Sequence, residues 1–453
     1  MYFLYYLHKP FPESWRSDGY DRRREACRET TDLRRASSDV SRDRNGNGNE
    51  NRNRNGNGIR NRRLWTATIF LTVAVAGAAI QVRGAVLPTL EGFYGVPEWQ
   101  LGLVAPAGTV GYLLVMLFVG SSAGRVDTRT VITLGAFGTA AALLAMGLAP
   151  TFLVFLGAML ARGAAMGLVR ALDRPLLSHF YPDDRGRVYN LYDGIWAAGA
   201  ALGPLAVVLA LALGSWRLVY LGLAGTVLVL AVLFWRLDPP DVGGNEEPLT
   251  RDRLLVLLRR PEILGMLAAL FFVIGVEGSL FTWLPYYAGA ELPDRWAELT
   301  LTLMLAAYVP GRFACGALAE RVGYLTLLTV VLGLLVPTFA FTFLVADGLW
   351  VLAGVVAIGV LISGVFPTAV AYGTDAAPEY SGPVNAVASA TGSAAFATVP
   401  AILGVVIGGS NARSAMPLLV VPLAVAFGVV VLARIAEYRR DRHPTGDSVP
   451  NDD

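Results

Sequence analysis

Polar and charged side chains interrupt several long apolar stretches of this sequence. They are Gln81, Arg83, Arg162, Arg170, Asp173, Arg174, Glu277 and Arg312. An ionised group at the centre of a bilayer costs about 3 kcal/mol even on insertion scales, so each charge needs a partner, water or a function. Guanidinium groups suit carboxylates and phosphates, and a buried carboxyl group can exchange a proton. These residue types predict solute binding and proton transfer across a membrane.

Four of these residues form the predicted solute and proton pathway. Counting about 1.5 Å for each helical residue, Arg162 lies near the middle of its apolar stretch and Glu277 slightly beyond the middle. Arg83 lies nearer the outer end of the first stretch, and Gln81 precedes it. We expect Arg83, Arg162 and Glu277 to bound a central site, in which Glu277 carries the proton.

Other roles compete with this interpretation. Arg83 could extend toward the outer headgroups, and Glu277 could be purely structural. Trp283 is placed in the pathway, where it could stack on a sugar ring, but aromatic residues near a helix end more often belong to an interfacial belt. Phe366, followed by a proline, predicts a helix break that faces the pathway or a kink without a ligand role.

The remaining intramembrane charges are interpreted as structural. Asp173 stands three residues after Arg170 and next to Arg174. This spacing favours a structural ion pair near the inner end of the helix. Arg312 precedes a loop motif by one helical turn, so we expect it to brace a gate rather than to touch the solute.

Catalytic and cofactor chemistry is not indicated. The three histidines, at positions 8, 179 and 443, lie outside the apolar stretches or at their edge, which gives no metal-ligand cluster. Lys9 is the only lysine, so there is no glycine-rich nucleotide loop with its lysine. We expect no enzyme activity, no cofactor and no metal. The arginines crowd into the tails and alternate loops rather than one patch, which argues against nucleic-acid binding.

The elements that must position these residues are membrane-spanning helices. The sequence is 54% hydrophobic and 16% charged, with a mean hydropathy of +0.51, so its main solvent is lipid. Apolar runs of about 20 residues match the hydrocarbon thickness of a bilayer. They predict helices over 64–88, 99–121, 130–149, 151–178, 188–213, 215–236, 262–288, 296–318, 324–345, 347–372, 383–408 and 413–436.

Composition divides the chain into five parts. Residues 1–63 are polar and rich in Asn, Gly and Arg, which predicts a disordered cytoplasmic tail. Six helices follow in 64–237, then a linker over 238–261 with an amphipathic helix suited to the inner leaflet. Six more helices occupy 262–437, and 438–453 form a cytoplasmic tail.

Arginine counts predict the orientation. With the amino terminus inside, the inner loops hold ten arginines and the outer loops three. Positive charge is retained on the cytoplasmic side, so we expect a multi-pass plasma-membrane protein with both termini in the cytoplasm. We further expect a monomer whose partners are the lipid bilayer, a small-molecule solute and protons.

Two related loop motifs predict gates. In the second half, GALAERVGY supplies Gly316, Glu320, Arg321 and Gly323. Gly316 is expected to let helices approach closely and Gly323 to permit a tight turn. The two charged residues can bond to neighbouring helix ends and hold one access state.

The corresponding first-half loop reads GSSAGRVDTR and supplies Arg125, Asp127 and Arg129. Gly124 occupies the position that the acid holds in the second half. A related motif at the matching place in both halves indicates an internal repeat.

The second-half motif resembles the loop signature of the major facilitator superfamily: Gly, three residues, acid, base, any residue, Gly. The stretches GVEGSLFTWLPYY, PGRFACGALAERVG and GVFPTAVAYG further resemble its fucose- and glucose-type sugar porters. The fragment from Gly199 to Pro204 resembles a fifth-helix motif of the antiporters, although such small residues also suit a close-packing face.

The resemblance implies an all-α membrane protein with twelve transmembrane helices in two pseudo-symmetric six-helix bundles. It also implies that helices 1, 4, 7 and 10 line a central cavity. Every intramembrane polar residue named above except Arg312 falls on three of these four helices. This placement favours a wet polar pathway over scattered membrane charges.

These observations predict a secondary transporter that works by alternating access. Proton-coupled uptake of a sugar-like or organic-anion solute is the first hypothesis. Proton-driven efflux of amphipathic compounds is the alternative. A membrane sensor that keeps the carrier fold without turnover is a third possibility.

Overall fold

A computed structural model describes residues 40–121, 127–182, 185–238, 256–377 and 380–442. Twelve helices in these ranges are long and apolar enough to cross a membrane, which confirms the predicted number of spans. We number them spans 1–12 in chain order. Contacts divide the chain into residues 1–60 and 61–453, and the packing discussed below lies within the second unit.

The helices that carry the spans have the following bounds. Spans 1–6 lie in Val40–Ala85, Glu98–Leu101 with Val104–Ser121, Thr128–Leu148, Phe152–Phe180, Arg185–Ala212 and Arg217–Arg236. Spans 7–12 lie in Pro261–Glu291, Asp294–Val322, Tyr324–Leu344, Leu349–Ile362 with Val365–Ala376, Ser381–Gly409, and Ala412–Ala415 with Val420–Arg442. A short helix, Leu87–Tyr94, connects spans 1 and 2, and the 3-10 turn Met416–Leu419 lies within span 12.

Some boundaries differ from the predicted ones. The first helix begins at Val40, inside the segment for which disorder is expected. Propagation adds one hydrogen bond for each further residue, so a helix that the membrane span nucleates can extend into polar residues. The last helix continues to Arg442, past the predicted boundary at 437. Residues 1–39, most of the predicted linker (239–255) and 443–453 lie outside the described residues.

The two halves repeat the same packing. In the first half span 2 packs on span 4, and span 3 packs on spans 4 and 6. In the second half span 8 packs on span 10, and span 9 packs on spans 10 and 12. Each of these contacts in the first half therefore has a counterpart in the second half, between the spans whose numbers are higher by six. This repeat is the predicted pair of pseudo-symmetric six-helix bundles.

Glycines bring several spans into backbone contact. A Cβ atom built on Gly199 of span 5 would overlap the backbone of Ala74 in span 1, and one on Gly203 would meet Ala78. The fragment from Gly199 to Pro204 thus forms a close-packing face. Gly163 of span 4 lies in the same way against the backbone of span 2. Small residues are the usual device for such approaches in membranes, where lipid is as apolar as the helices.

Span 10 is broken, as the sequence predicts. One helix ends at Ile362 and the next begins at Val365, so the break lies at Ser363 and Gly364, just before the predicted position. Pro367 falls in the first turn of the second helix. A proline is tolerated there because its missing N–H would have no partner within the helix.

Glycines bring the two halves into contact at one end of the bundle. Short connections make consecutive spans within each half run in opposite directions, so we call the side where span 1 begins the near side and the other the far side. Gly84, at the far end of span 1, lies against the backbone of Phe281 in span 7. Gly102 of span 2 lies against Gly404 of span 11. These contacts close the far side between the two halves.

The second-half loop motif lies on the near side. Gly323 has a φ of 80°, a conformation that favours glycine, and the chain turns there into span 9. The close helix approach expected at Gly316 is not found: Gly316 is exposed, and a Cβ atom built on it would meet nothing within 4 Å. Span 8 instead approaches the backbone of Val360 in span 10 at Gly311. The rotation of span 8 decides which glycine faces span 10, and a loop motif does not fix that rotation.

We expect Gly199→Ala to destabilise the protein by about 1–3 kcal/mol, because the added methyl group would overlap the Ala74 backbone. Gly194→Ala on the same helix is the control, since nothing lies within 4 Å of that position. Because alanine forms helices better than glycine, the control should be at least as stable as the native chain. Thermal unfolding in a mild detergent measures both variants. Equal melting temperatures would contradict the packing assigned to Gly199.

Candidate functional site

Three polar side chains from three spans meet inside the first half. Arg83 comes from span 1, Arg162 from span 4 and Tyr220 from span 6. Arg83 is 2% exposed, Arg162 5% and Tyr220 0%. The two guanidinium groups lie close enough to repel each other, and Tyr220 lies near both. We call these three residues the arginine cluster. Gln81, two residues before Arg83, is also fully buried.

The arginine cluster contains unused hydrogen-bonding groups. Among the described residues no carboxylate lies within ion-pair distance of either arginine. Nε and Nη2 of Arg83, Nε of Arg162 and the Tyr220 hydroxyl are buried without a hydrogen-bond partner. The same holds for both side-chain amide atoms of Gln81. An unpaired buried charge costs several kcal/mol, and the described part of the chain supplies no counter-charge for this positive site.

Aromatic packing holds the arginine cluster in place. The Tyr220 ring packs edge-on against Phe155, with ring centres 5.6 Å apart, and against Trp216 at 6.0 Å. The guanidinium carbon of Arg83 lies 4.5 Å from the ring centre of Phe396 in span 11. Arg83 therefore faces the bundle interior rather than the headgroups. Because Phe396 belongs to the second half, the cluster borders the boundary between the halves.

Glu277 lies in a separate group of the second half. The Tyr308 hydroxyl of span 8 donates to Glu277 Oε1 at 2.7 Å. Arg312, one turn beyond Tyr308, interacts electrostatically with both residues. Its guanidinium carbon lies 5.9 Å from the Tyr308 ring centre. We call Glu277, Tyr308 and Arg312 the glutamate cluster. The single site predicted from Arg83, Arg162 and Glu277 is thus two clusters, and Arg312 belongs to one of them.

A row of aromatic rings connects the two clusters. Phe396, the ring against Arg83, lies 5.9 Å from Phe281 of span 7. Phe281 in turn lies 6.0 Å from Tyr308. Sequence reasoning missed this row, because the residues come from spans 7, 8 and 11 and only folding brings them together.

Two other residues of the predicted pathway lie apart from both clusters. Trp283 is fully buried and donates its indole N–H to the Pro400 oxygen at 2.8 Å. Its ring meets Tyr286 edge-on at 5.6 Å. Trp283 therefore packs between spans 7 and 11, so a solute could reach it only after these helices move. Phe366 is half-buried directly after the break in span 10.

An ion-pair network connects the near-side ends of spans 4 and 5. Arg170 and Asp173 lie 3.5 Å apart, and the Tyr192 hydroxyl donates to Asp173 and accepts from Arg170. Arg174 pairs with Asp193 of span 5 at 2.7 Å. The spacing in span 4 indicates an ion pair, but it does not reveal the two partners on span 5.

The first-half loop residues have structural contacts. Asp127 caps span 3, where its carboxylate accepts from the Thr130 hydroxyl at 2.5 Å and the Thr130 backbone N–H at 2.8 Å. These bonds hold the pKa of Asp127 below its usual value. Arg129 donates to the backbone oxygen of Trp235 in span 6. Of the other predicted gate residues, Arg321 is exposed, whereas Arg125 and the side chain of Glu320 lie outside the described part of the chain.

Two carboxyl groups on the far side share one hydroxyl. The Tyr286 oxygen lies 3.3 Å from Glu91 Oε1 and 3.5 Å from Glu98 Oε1. Burial raises the pKa of Glu91, and the neighbouring charge of Glu98 raises it further. The contact joins the first half to the second, and we call Glu91 and Glu98 the far-side carboxyl pair. Sequence reasoning missed it, although both acids flank a Gly-Val-Pro turn.

Comparison with known proteins gives related carriers. An uncharacterized MFS-type transporter of Enterobacter sp. (strain 638) is 26% identical over 267 residues, which are 58% of this chain and 67% of that protein. A bacterial homolog of the human lysosomal transporter Spinster, in an inward-facing and unoccupied conformation, has a TM-score of 0.69 at 15% identity. That match covers 82% of this chain and 97% of the homolog.

A second solved structure and the family model agree with this likeness. The Escherichia coli fucose:proton symporter FucP matches with a TM-score of 0.58 at 17% identity, over 81% of this chain and 98% of FucP. At such identities the structures show a shared fold. The sequence model of the Major Facilitator Superfamily matches residues 69–400, which include spans of both halves. This multi-pass membrane protein therefore belongs to the Major Facilitator Superfamily.

Proposed function

We propose that this protein is a secondary active transporter that takes up a sugar-like or organic-anion solute together with protons. The observation that carries the proposal is buried charge at the boundary between the halves. Arg83 and Arg162 are buried and form no ion pair among the described residues. Glu277 of span 7 accepts a hydrogen bond from Tyr308 in the separate glutamate cluster. Intramembrane charges of this kind mark solute and proton pathways.

The near side is the cytoplasmic side in this proposal, and the membrane is the plasma membrane. The arginine excess in the near-side loops supports this orientation, which leaves both termini in the cytoplasm. The glycine contacts of Gly84 and Gly102 then close the outer side. Alternating access requires these contacts to open while contacts on the inner side form.

Glu277 is the proton carrier in this mechanism. Its carboxylate accepts the Tyr308 hydroxyl, and protonation would convert one carboxylate oxygen into a donor. A change at Tyr308 reaches Arg83 through the rings of Phe281 and Phe396. The aromatic row is thus a physical route by which proton binding in one half alters solute binding in the other.

Uptake is preferred to efflux for a structural reason. The Gly199 to Pro204 fragment, which favours the efflux alternative, packs tightly against span 1 and so has a structural role. The likeness to a fucose:proton symporter of the same fold favours a sugar-like solute and coupling to protons, whereas the two arginines favour an anionic solute.

Transport assays in right-side-out and everted vesicles distinguish uptake from efflux. Accumulation only in everted vesicles would replace uptake by efflux.

We expect Glu277→Gln to lose at least about tenfold in proton-driven accumulation while it retains solute exchange, because the amide cannot carry a proton. The measurement is uptake into proteoliposomes under an inward proton gradient, using a solute found by screening sugars and organic acids, beside counterflow without a gradient. Glu298→Gln is the control, since Glu298 is exposed on span 8. Unchanged gradient-driven accumulation by Glu277→Gln would remove Glu277 as the carrier.

We expect low pH to favour the closed far side. Glu91 has a raised pKa in this closed state, so the closed state binds more protons than a state in which Glu91 is solvated. The preference is present at low pH and is lost as the pH rises through that raised pKa. The nearby titratable groups are Glu98 and Tyr286, and Glu98 also lies beside Gly408 of span 11.

Spin labels on Gly92→Cys and Gly289→Cys measure this opening, because both positions are exposed and have nothing within 4 Å. The native Cys27 and Cys315 are replaced first. The distance distribution should shift toward the short, closed distance as the pH falls. Glu91→Gln should keep the closed distance at all pH values. A pH response that persists in Glu91→Gln would assign the effect to another group.

A further inference from the structure

We propose that the arginine cluster is a binding site for a small oxyanion, recognised through a carboxylate or phosphate group, and that neutral sugars are not ligands of this site. The inference rests on the proposed function only where it makes this anion the transported solute. Anion binding itself is argued from the arginine cluster alone. Of the two solute classes that the sequence leaves open, sugar-like and organic-anion, the proposal selects the anion.

Span 4 contains an internal comparison that supports this assignment. Arg170 and Arg174 each have a carboxylate within 4 Å, at 3.5 Å and 2.7 Å. Arg162, on the same helix, has none among the described residues, although it is only 5% exposed. The chain therefore compensates two arginines with its own acids and leaves the third uncompensated. An external anion is the missing partner.

The charge of the cluster defines what can bind. Arg83 and Arg162 repel each other, and no acidic side chain among the described residues forms an ion pair with either. One anion between them would remove the repulsion and supply the absent counter-charge. A cation would add a third positive charge, and a neutral solute would leave both charges uncompensated.

The unused donors favour an oxyanion over a halide. Nε and Nη2 of Arg83 and Nε of Arg162 are buried without acceptors, and a guanidinium presents its donors as a fork that matches two oxygens. The Tyr220 hydroxyl provides a further buried partner. Several oxygen atoms on one small ligand can satisfy these groups together.

One guanidinium of the cluster packs directly against a glycine of span 2. A Cβ atom built on Gly108 would lie 3.2 Å from Nη2 of Arg162, closer than an ordinary van der Waals contact. A larger side chain at this position would displace that donor. Phe396 covers Arg83 from the second half, so a ligand on Arg83 also borders the boundary that must open and close.

The test is thermal unfolding of the purified full chain in detergent and chloride-free buffer, with millimolar L-lactate, inorganic phosphate, chloride or glucose added. Only a ligand that prefers the native state raises the melting temperature. We expect lactate or phosphate to raise it in a saturable manner, and glucose to leave it unchanged. Stabilisation by glucose alone, by chloride as strongly as by the oxyanions, or by none of the probes would overturn the proposal.

Two arginine variants test the residues. Arg83→Gln and Arg162→Gln should weaken the apparent affinity for the stabilising anion at least about tenfold, because each loses charge-assisted hydrogen bonds. Without added anion both variants should melt at a higher temperature than the native chain, since each relieves the repulsion of two unpaired charges. A purely structural arginine would give the opposite, a lower melting temperature.

Matched controls keep the test decisive if an arginine variant does not fold. Arg413→Gln removes an exposed far-side arginine that pairs with Glu291 and Asp347, and it should keep the native anion response. Tyr220→Phe retains both charges and should weaken anion binding by a smaller factor. An unchanged anion affinity in a folded arginine variant would reject the site, and so would an unchanged affinity in Tyr220→Phe if neither arginine variant folds.

Transport assays separate this inference from the proposed function. Anion binding that depends on Arg83 and Arg162 without any flux in proteoliposomes would reject the transport function and keep the site. Transport of a neutral sugar that survives both arginine substitutions would keep the transporter and reject the site. Arginine-dependent transport of lactate or phosphate supports both.

Discussion

Burial of positive charge without a counter-charge is the constraint on which the rest of this structure depends. A folded domain is stable by only about 5–15 kcal/mol, and an unpaired buried charge costs several kcal/mol. The chain meets this cost at Arg170 by placing Asp173 and Tyr192 beside it. No acid among the residues that the structure describes does the same for Arg83 or Arg162. A deficit of this size in the centre of a transporter is understandable when a ligand removes it.

Close helix packing supplies the force that keeps the two like charges together. Lipid gives helices no hydrophobic reason to associate, so backbone contacts at small residues carry much of the energy. Gly199 fixes span 5 against span 1, the span that bears Arg83, and Gly163 fixes span 4 against span 2 immediately beside Arg162. The glycines therefore position the arginines and also resist their mutual repulsion.

Sequence alone predicts the number of spans, the internal repeat and the charged residues of both clusters, because hydropathy and rare intramembrane charges are local signals. It does not predict Tyr220 or Phe396 as partners of the arginines, since aromatic residues are common in membrane helices and only helix rotation selects these two. The same limit explains Gly316, which the loop motif places in a close contact but which is exposed. It also explains why Glu277 is separate from the arginines. The depth of a residue in the membrane can be counted from the sequence, but the side chains that it contacts at that depth cannot be predicted in this way.

Phe281 explains how the clusters and the far-side closure can depend on one another. Its backbone is the surface against which Gly84 closes the far side, and its ring is the middle member of the row between Tyr308 and Phe396. Span 7 cannot leave span 1 without moving this ring relative to at least one of its neighbours. The environment of Arg83 against Phe396 then differs between the closed and open states. A ligand shifts such an equilibrium only by its difference in affinity for the two states, and an anion held at Arg83 has a physical source for that difference.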